Sequence, residues 1–424
     1  MQTFYNTWSR RALLNLLIVA LAGTLLRCKI LWPIPVLDYK NLMHAHSHFA
    51  FSGWVSLALS VAIAGIMNLP EQRLRAYQHA FWFLVLSSFG MLLSFPFGGY
   101  NIVSIFFSTS SIFAGWHFAW LCWRDLSRSD LPATVIKWFR AGLLFYVLSA
   151  VGPFFLAWLM ATENVHQQWY IGSVYFFLHF QYNGWFAFAV IGLFLALLHI
   201  RGIAFPAKAA RIAFWLQGIA CVPAFFLSAL WMQLPAVLYW LAVMAAIAQL
   251  AALVIILGGM IKCKTKIIFS FDSVPLLLWG IALLAFCMKT VMQFLSVFPD
   301  LSYLAFGYRP VVIGYLHLIL LGFISLFLLG YLLQQKYISN VSLRPVIGIF
   351  CFVTGVILNE FFLFVQALAS IGGTSFSMAA YFLLFAALLM LSGISILYYS
   401  QLNNNLFKYG ISSNKQRGPA ASTR

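Results

Sequence analysis

The sequence predicts an all-α polytopic membrane protein of about twelve transmembrane helices in three quasi-repeats of four. Composition is the first ground. Of 424 residues, 63% are hydrophobic, 18% aromatic and 8% charged, with mean hydropathy +0.93; a soluble chain carries about 25% charge. The second ground is a set of about twelve apolar stretches, each long enough to cross a bilayer of ~30 Å. The third is a short pattern that occurs three times. His48-Phe-Ala-Phe-Ser-Gly53-Trp54, His179-Phe-Gln-Tyr-Asn-Gly184-Trp185 and His317-Leu-Ile-Leu-Leu-Gly322-Phe323 all read histidine, four residues, glycine, large aromatic.

In chain order the stretches fall at roughly 12–33, 48–68, 80–98, 101–123, 138–160, 170–198, 209–231, 236–260, 273–297, 310–333, 345–367 and 376–400. The first is of full span length, is followed by further spans and lacks a small-residue cleavage site, so it is expected to be a span and not a removed leader. The net charge of +17 does not point to nucleic acid, because of its placement. Arg10, Arg11, Arg73, Arg75, Arg124, Arg128, Lys137, Arg140, Arg201, Lys208, Arg211, Lys262, Lys264, Lys266, Lys336, Arg344, Lys408, Lys415, Arg417 and Arg424 all lie on alternate connections or the two tails. That is the positive-inside pattern, and it predicts an even span count with both termini cytoplasmic, in a cell inner membrane. The expected organisation is one transmembrane domain over 1–401 and a polar, disordered cytoplasmic tail over 402–424.

Five cations break the pattern: Arg27, Lys29, Lys40, Lys289 and Arg309. Four sit at span ends, where a snorkelling anchor is as good a reading as a functional one. Lys289, inside the ninth span, and Glu360, inside the eleventh, are costly unless paired with each other or with an anionic ligand group. Cys28, Cys122, Cys221, Cys263, Cys287 and Cys351 show no paired spacing and read as small packing residues. No phosphate loop, zinc-protease helix or serine triad signature is present, so any chemistry belongs inside the membrane.

His79, His117 and His199 read as interface residues near the cytoplasmic ends of their spans, whereas His44, His46, His48, His166, His179 and His317 belong to the outer side. His44 and His48, four apart, share a helical face, and His46 points elsewhere. The three repeated histidines fall on the second, sixth and tenth spans, the second helix of each group of four. Two imidazoles facing one another across a bundle, with Gly53 and Gly322 clearing space, suit a haem held at both axial positions. Imidazole also binds copper, zinc or iron, so the histidines alone do not decide between haem and a bare ion, but the apolar setting and the small residues favour haem.

With histidines on spans two, six and ten of twelve, the chain resembles subunit I of the haem-copper oxidases. Leu316-His317-x4-Gly322-Phe-Ile-Ser looks like the span-ten segment of the C-family oxidases. His46-x-His48-x4-Gly53-Trp-Val is similar to the span-two opening of small divergent relatives. His179-x3-Asn183-Gly184 resembles the HxxxEG of nitric oxide reductases, with Asn183 where that family has an iron-binding glutamate. The resemblance implies a low-spin haem b held by His48 and His317, with His44 as the substitute, and propionates neutralised by Arg309 or Lys289. It implies a second centre of copper or non-haem iron at His179 and Asn183, completed by His44, His46 or His166. The chain departs from the family there. Span seven has no histidine, and Tyr315 stands where a second span-ten histidine belongs. The ligand of a reactive haem is therefore either gone or replaced by a phenol, a phenol in such a helix being more often a packing residue. The expected function is electron transfer or handling of O₂ or NO. Any enzyme activity would be of the haem-copper oxidase or nitric oxide reductase type, and partners would be other respiratory-chain subunits or a cytochrome c-type donor. Two rivals remain: a haem/copper NO-response membrane protein like the NnrS family, and a secondary transporter, against which the four-helix period argues.

Overall fold

A computed structural model describes residues 1–163 and 166–415 of the chain. Its regular structure is helical throughout the described residues, and twelve helices are long and apolar enough to span a membrane. They are α1 (Gln2–Leu31), α2 (Tyr39–Ile66), α3 (Glu71–Gly98), α4 (Ile102–Leu126), α5 (Ala133–Ala161), α6 (Gln167–Ile200), α7 (Ala207–Met232), α8 (Ala236–Ser270), α9 (Ser273–Leu295), α10 (Arg309–Gln334), α11 (Leu343–Ile371) and α12 (Ala379–Leu402). The all-α polytopic class is therefore correct.

Ends differ from expectation where polar residues carry a helix past its apolar core. The first helix reaches back to Gln2 and buries Trp8 in the same turns that carry Arg10 and Arg11. The second begins nine residues before position 48, after Asp38, whose side chain accepts from the Asn41 amide at 2.9 Å. The eighth runs on to Ser270, so Lys262, Lys264 and Lys266 ride on a helix and not on a loop. The backbone of the last helix is described through Lys415, and residues 416–424 of the expected tail lie outside the described residues.

Each helix packs on its chain neighbour, and α12 returns to α1, closing a ring. Three helices leave the ring for the middle: α2, α6 and α10 touch one another. Within its most apolar stretch, α2 is 83% buried, α6 78% and α10 50%, against 28–44% in the other nine. The helices that carry the repeated histidines are thus the central ones. In a membrane, packing replaces the hydrophobic effect between helices, so close approach matters. It is clearest at α11–α12, where a Cβ on Gly348 would stand 2.7 Å from the Gly393 carbonyl oxygen.

Each central helix changes winding just after its histidine. Phe49–Ser56, Phe180–Phe186 and Leu318–Ser325 are π-helical, entered directly from His48, His179 and His317. Such turns are rare and recur at functional sites. The histidine–glycine interval of five is that of the π-helical hydrogen bond. Side chains hold two of these turns: Asn15 Nδ2 donates to Gly53 O at 2.6 Å, and Ser325 Oγ donates to Leu320 O at 2.7 Å.

The π turns divide each central helix into unlike halves. We call the end at which α2 begins the upper end. Below the turns, every residue of Leu57–Ile66 except Gly65 is buried, as is all of Leu326–Gln334. Above them, Arg309–His317 has no buried residue, Tyr39–His48 has only Leu42 and Ala45, and Gln167–His179 only Ser173 and His179. The bundle is closed below and opens towards its upper end.

Candidate functional site at the upper end of the bundle

His46 and His317 are held alike. The Nδ1 of His46 lies 3.1 Å from Val19 O on α1, and the Nδ1 of His317 lies 2.8 Å from Ile313 O one turn back. A carbonyl can only accept, so each Nδ1 carries the proton and each Nε2 keeps its lone pair. Neither Nε2 has a hydrogen-bond partner among the described residues, and neither is sealed inside protein. The two rings are within electrostatic reach of each other and of Arg27. Gly23 makes room on α1, where a Cβ would stand 3.2 Å from His46 Cε1.

His48, the expected partner of His317, turns the other way. Its ring stacks on Phe95 of α3 at 4.9 Å with planes 5° apart, and its Nε2 lies 3.3 Å from the Tyr100 hydroxyl. His44 shares that face, 6.4 Å from His48 and 5.0 Å from Tyr100 between ring centroids. The i, i+4 spacing of His44 and His48 and the opposite aim of His46 follow helix geometry. What the sequence could not supply was which face meets α10.

Beside and above the His46–His317 pair lies a charged group drawn from four helices. Arg309 Nη2 donates to the Tyr39 hydroxyl at 3.3 Å, with the guanidinium 5.5 Å from that ring. Arg27 has Tyr39, Arg309 and Glu360 as electrostatic neighbours. Glu360 accepts from Asn359 Nδ2 at 3.0 Å and reaches no cation within ion-pair distance; Arg73–Asp125 is the one ion pair among the described residues. The sequence left Arg27 evenly between an anchor and a functional cation, since an arginine four residues from a span end looks the same either way.

Lys289 lies elsewhere. It is 2% exposed, beside Phe286 and in the electrostatic neighbourhood of His179 and Cys221, and it does not pair with Glu360. His179 is fully buried and committed to the protein at both nitrogens. Its Nε2 lies 2.8 Å from Cys221 O, so that nitrogen donates; Nδ1 then accepts from Asn183 Nδ2 at 3.0 Å. Asn183 Oδ1 is left buried without a partner. In this arrangement His179 offers no free nitrogen to an ion. His166 caps α6 at its exposed upper end, and Tyr315 packs edge-on to Tyr182 at 6.1 Å. Among the described residues, no three His, Cys, Asp or Glu side chains are grouped to hold a metal.

The glycines expected to admit a bulky ligand are closed by protein. A Cβ on Gly53 would meet Phe49 at 2.9 Å, one on Gly322 would meet Ala285 at 3.2 Å, and one on Gly184 would strike Phe145. The upper halves of the central helices are instead their less buried parts. No protein-family model matches the chain, and no curated protein matches it in sequence.

Proposed function

We propose that this chain is an integral membrane haem protein of oxidase subunit I-like architecture, with His46 and His317 as the axial ligands of one haem b. One observation carries the reading. Two imidazoles on neighbouring central helices each spend Nδ1–H on a backbone carbonyl and leave Nε2 without a protein partner, the second-shell arrangement that orients a ligating histidine. Arg27 and Arg309 supply the cations that haem propionates require, and Tyr39 holds Arg309 in place. Bound there, the haem would supply one-electron redox chemistry and an iron whose potential the site tunes. The chain's own part is to fix the two rings, exclude water from below and balance charge from above.

This assigns electron transfer, or the handling of O₂ or NO, to the upper face. The charge pattern puts that face outside, in reach of a cytochrome c-type donor or partner respiratory subunits. His179 is the remnant of a second centre, turned into a packing and hydrogen-bonding residue.

The test is the optical spectrum of the purified protein, oxidised and reduced, with haem content per chain. His317→Ala and His46→Ala should each abolish or convert the low-spin spectrum, and His48→Ala should leave it intact. Unchanged spectra in both of the first two variants would sink the assignment. Loss on His48→Ala alone, with His46→Ala silent, would restore the pairing read from sequence.

A further inference from the structure

Beside the face of α2 that carries His44 and His48, their two rings lie against Tyr100, with centroids 6.4 Å apart for His44 and His48 and 5.0 Å apart for His44 and Tyr100. We propose that the three side chains form a second, separate ligand set for a divalent transition-metal ion, zinc or copper(II), with copper(II) as the ion that reports it.

The geometry is that of ligands sharing one ion. Two donors at about 2.0–2.1 Å from a tetrahedral centre stand about 3.3–3.4 Å apart. His48 Nε2 and the Tyr100 hydroxyl oxygen stand 3.3 Å apart. The phenol is protonated at neutral pH and donates, so the His48 lone pair points at the space between the two atoms. His44 adds the third donor. Its Nε2 is buried and has no hydrogen-bond partner, a cost the fold carries with no return from the protein itself. His44 and His48 are one helical turn apart, the spacing by which a single helix presents two imidazoles to one ion.

Tyr100 is held rigidly for such a role. The third helix stops at Gly98, and Gly99 turns the chain with φ +55°. A Cβ at Gly99 would also stand 2.8 Å from Asn41 Oδ1. Next, Asn101 caps α4 reciprocally, its side-chain oxygen accepting from the Ser104 amide at 2.9 Å while its own backbone N–H donates to Ser104 Oγ at 2.9 Å. Tyr100 is therefore fixed between two pinned residues. It is 48% exposed, which gives an ion a route in from the upper surface.

Two imidazoles and a phenol oxygen suit copper, zinc or iron, and affinity among divalent ions peaks at copper. Binding would exchange the phenol proton for the metal: the O–H bond breaks, the proton leaves to solvent and the oxygen coordinates as phenolate. A fourth position stays open. The competing account is an aromatic box, in which Phe95 and Tyr100 merely pack the two rings.

The experiment uses the full-length protein in detergent, stripped with a chelator and titrated with Cu²⁺ under electron paramagnetic resonance. The expected result is one copper per chain with hyperfine structure from two nitrogens. His44→Ala and His48→Ala should weaken binding at least 100-fold, and Tyr100→Phe, which keeps the packing, about 10-fold. The haem spectrum should persist in all three, while His317→Ala should lose haem and keep copper, so this inference and the haem reading fail separately. Three results overturn the proposal: no copper bound at equimolar ion, the same copper signal in Tyr100→Phe and in the His44→Ala/His48→Ala double variant, or loss of haem on His48→Ala.

Discussion

The indole Nε1–H of Trp54 donates to the Ser325 hydroxyl at 2.8 Å, joining the π turn of α2 to the π turn of α10. Ser325 in turn donates to Leu320 O within its own turn. One side chain thus stabilises an irregular winding and ties two central helices at the same level. His46 and His317 lie just above this tie.

Trp54→Phe should therefore destabilise the protein by about 1–2 kcal/mol, since it leaves a buried hydroxyl short of its donor. Ser325→Ala should cost about as much, and the double variant less than the sum. A thermal or denaturant melt of all four proteins gives the coupling, expected at about 0.5–1.5 kcal/mol. Strict additivity would show the contact to be incidental.

Arg27→Gln should lower the midpoint potential of the proposed haem. The oxidised cofactor carries one more positive charge than the reduced, and Arg27 opposes that charge. Removing it favours the oxidised form, by an amount on the order of tens of millivolts for a charge a few ångströms beyond contact in a partly polar site. A rise on redox titration, or no change, would place Arg27 outside the site.

Topology follows from the charge pattern. A reporter inserted after Gly202 should face the cytoplasm and one inserted after Glu163 the opposite side. Both lie in short turns between helices, so neither insertion cuts a span. Equal reporter activity at the two positions contradicts the expected orientation.

With both His179 nitrogens engaged, sustained oxygen or NO reduction is not expected of the purified protein given an artificial electron donor. His179→Ala should act on stability, by removing the links to Cys221 and Asn183, and leave the haem spectrum as it was. Steady turnover that vanishes in His179→Ala and survives in His166→Ala would demonstrate a working second centre.

The helices were legible because apolar length alone decides what crosses a bilayer, and the histidines on the second, sixth and tenth stretches already marked the helices that prove central. Helix ends were not, because Gln2, Arg10 and Lys262 are good helical residues that hydropathy cannot count. The π turns were hidden for another reason. A five-residue interval between His48 and Gly53 fits an α-helix nearly as well, and the side chain that holds this turn, Asn15, comes from another helix. The rotation of α2 is the sharpest case. Its period shows that His46 opposes His44 and His48, but only the arrival of Val19 and Gly23 on one side and Phe95 and Tyr100 on the other decides which face meets α10.

The unlike halves of the central helices carry a consequence for the electric field across the membrane. A voltage falls mainly over the stretch of lowest dielectric, and here that is the dry stack of Leu57–Ile66 and Leu326–Gln334 below the π turns. One elementary charge moved through the full potential exchanges about 2.3 kcal/mol per 100 mV, but a charge that enters and leaves from above crosses little of it. An electron delivered to the level of His46 and His317 from the upper phase would do almost no electrical work. The bundle would act there as an insulated floor, and redox events at the proposed haem would be set by the solution they face and hardly by the polarisation of the membrane.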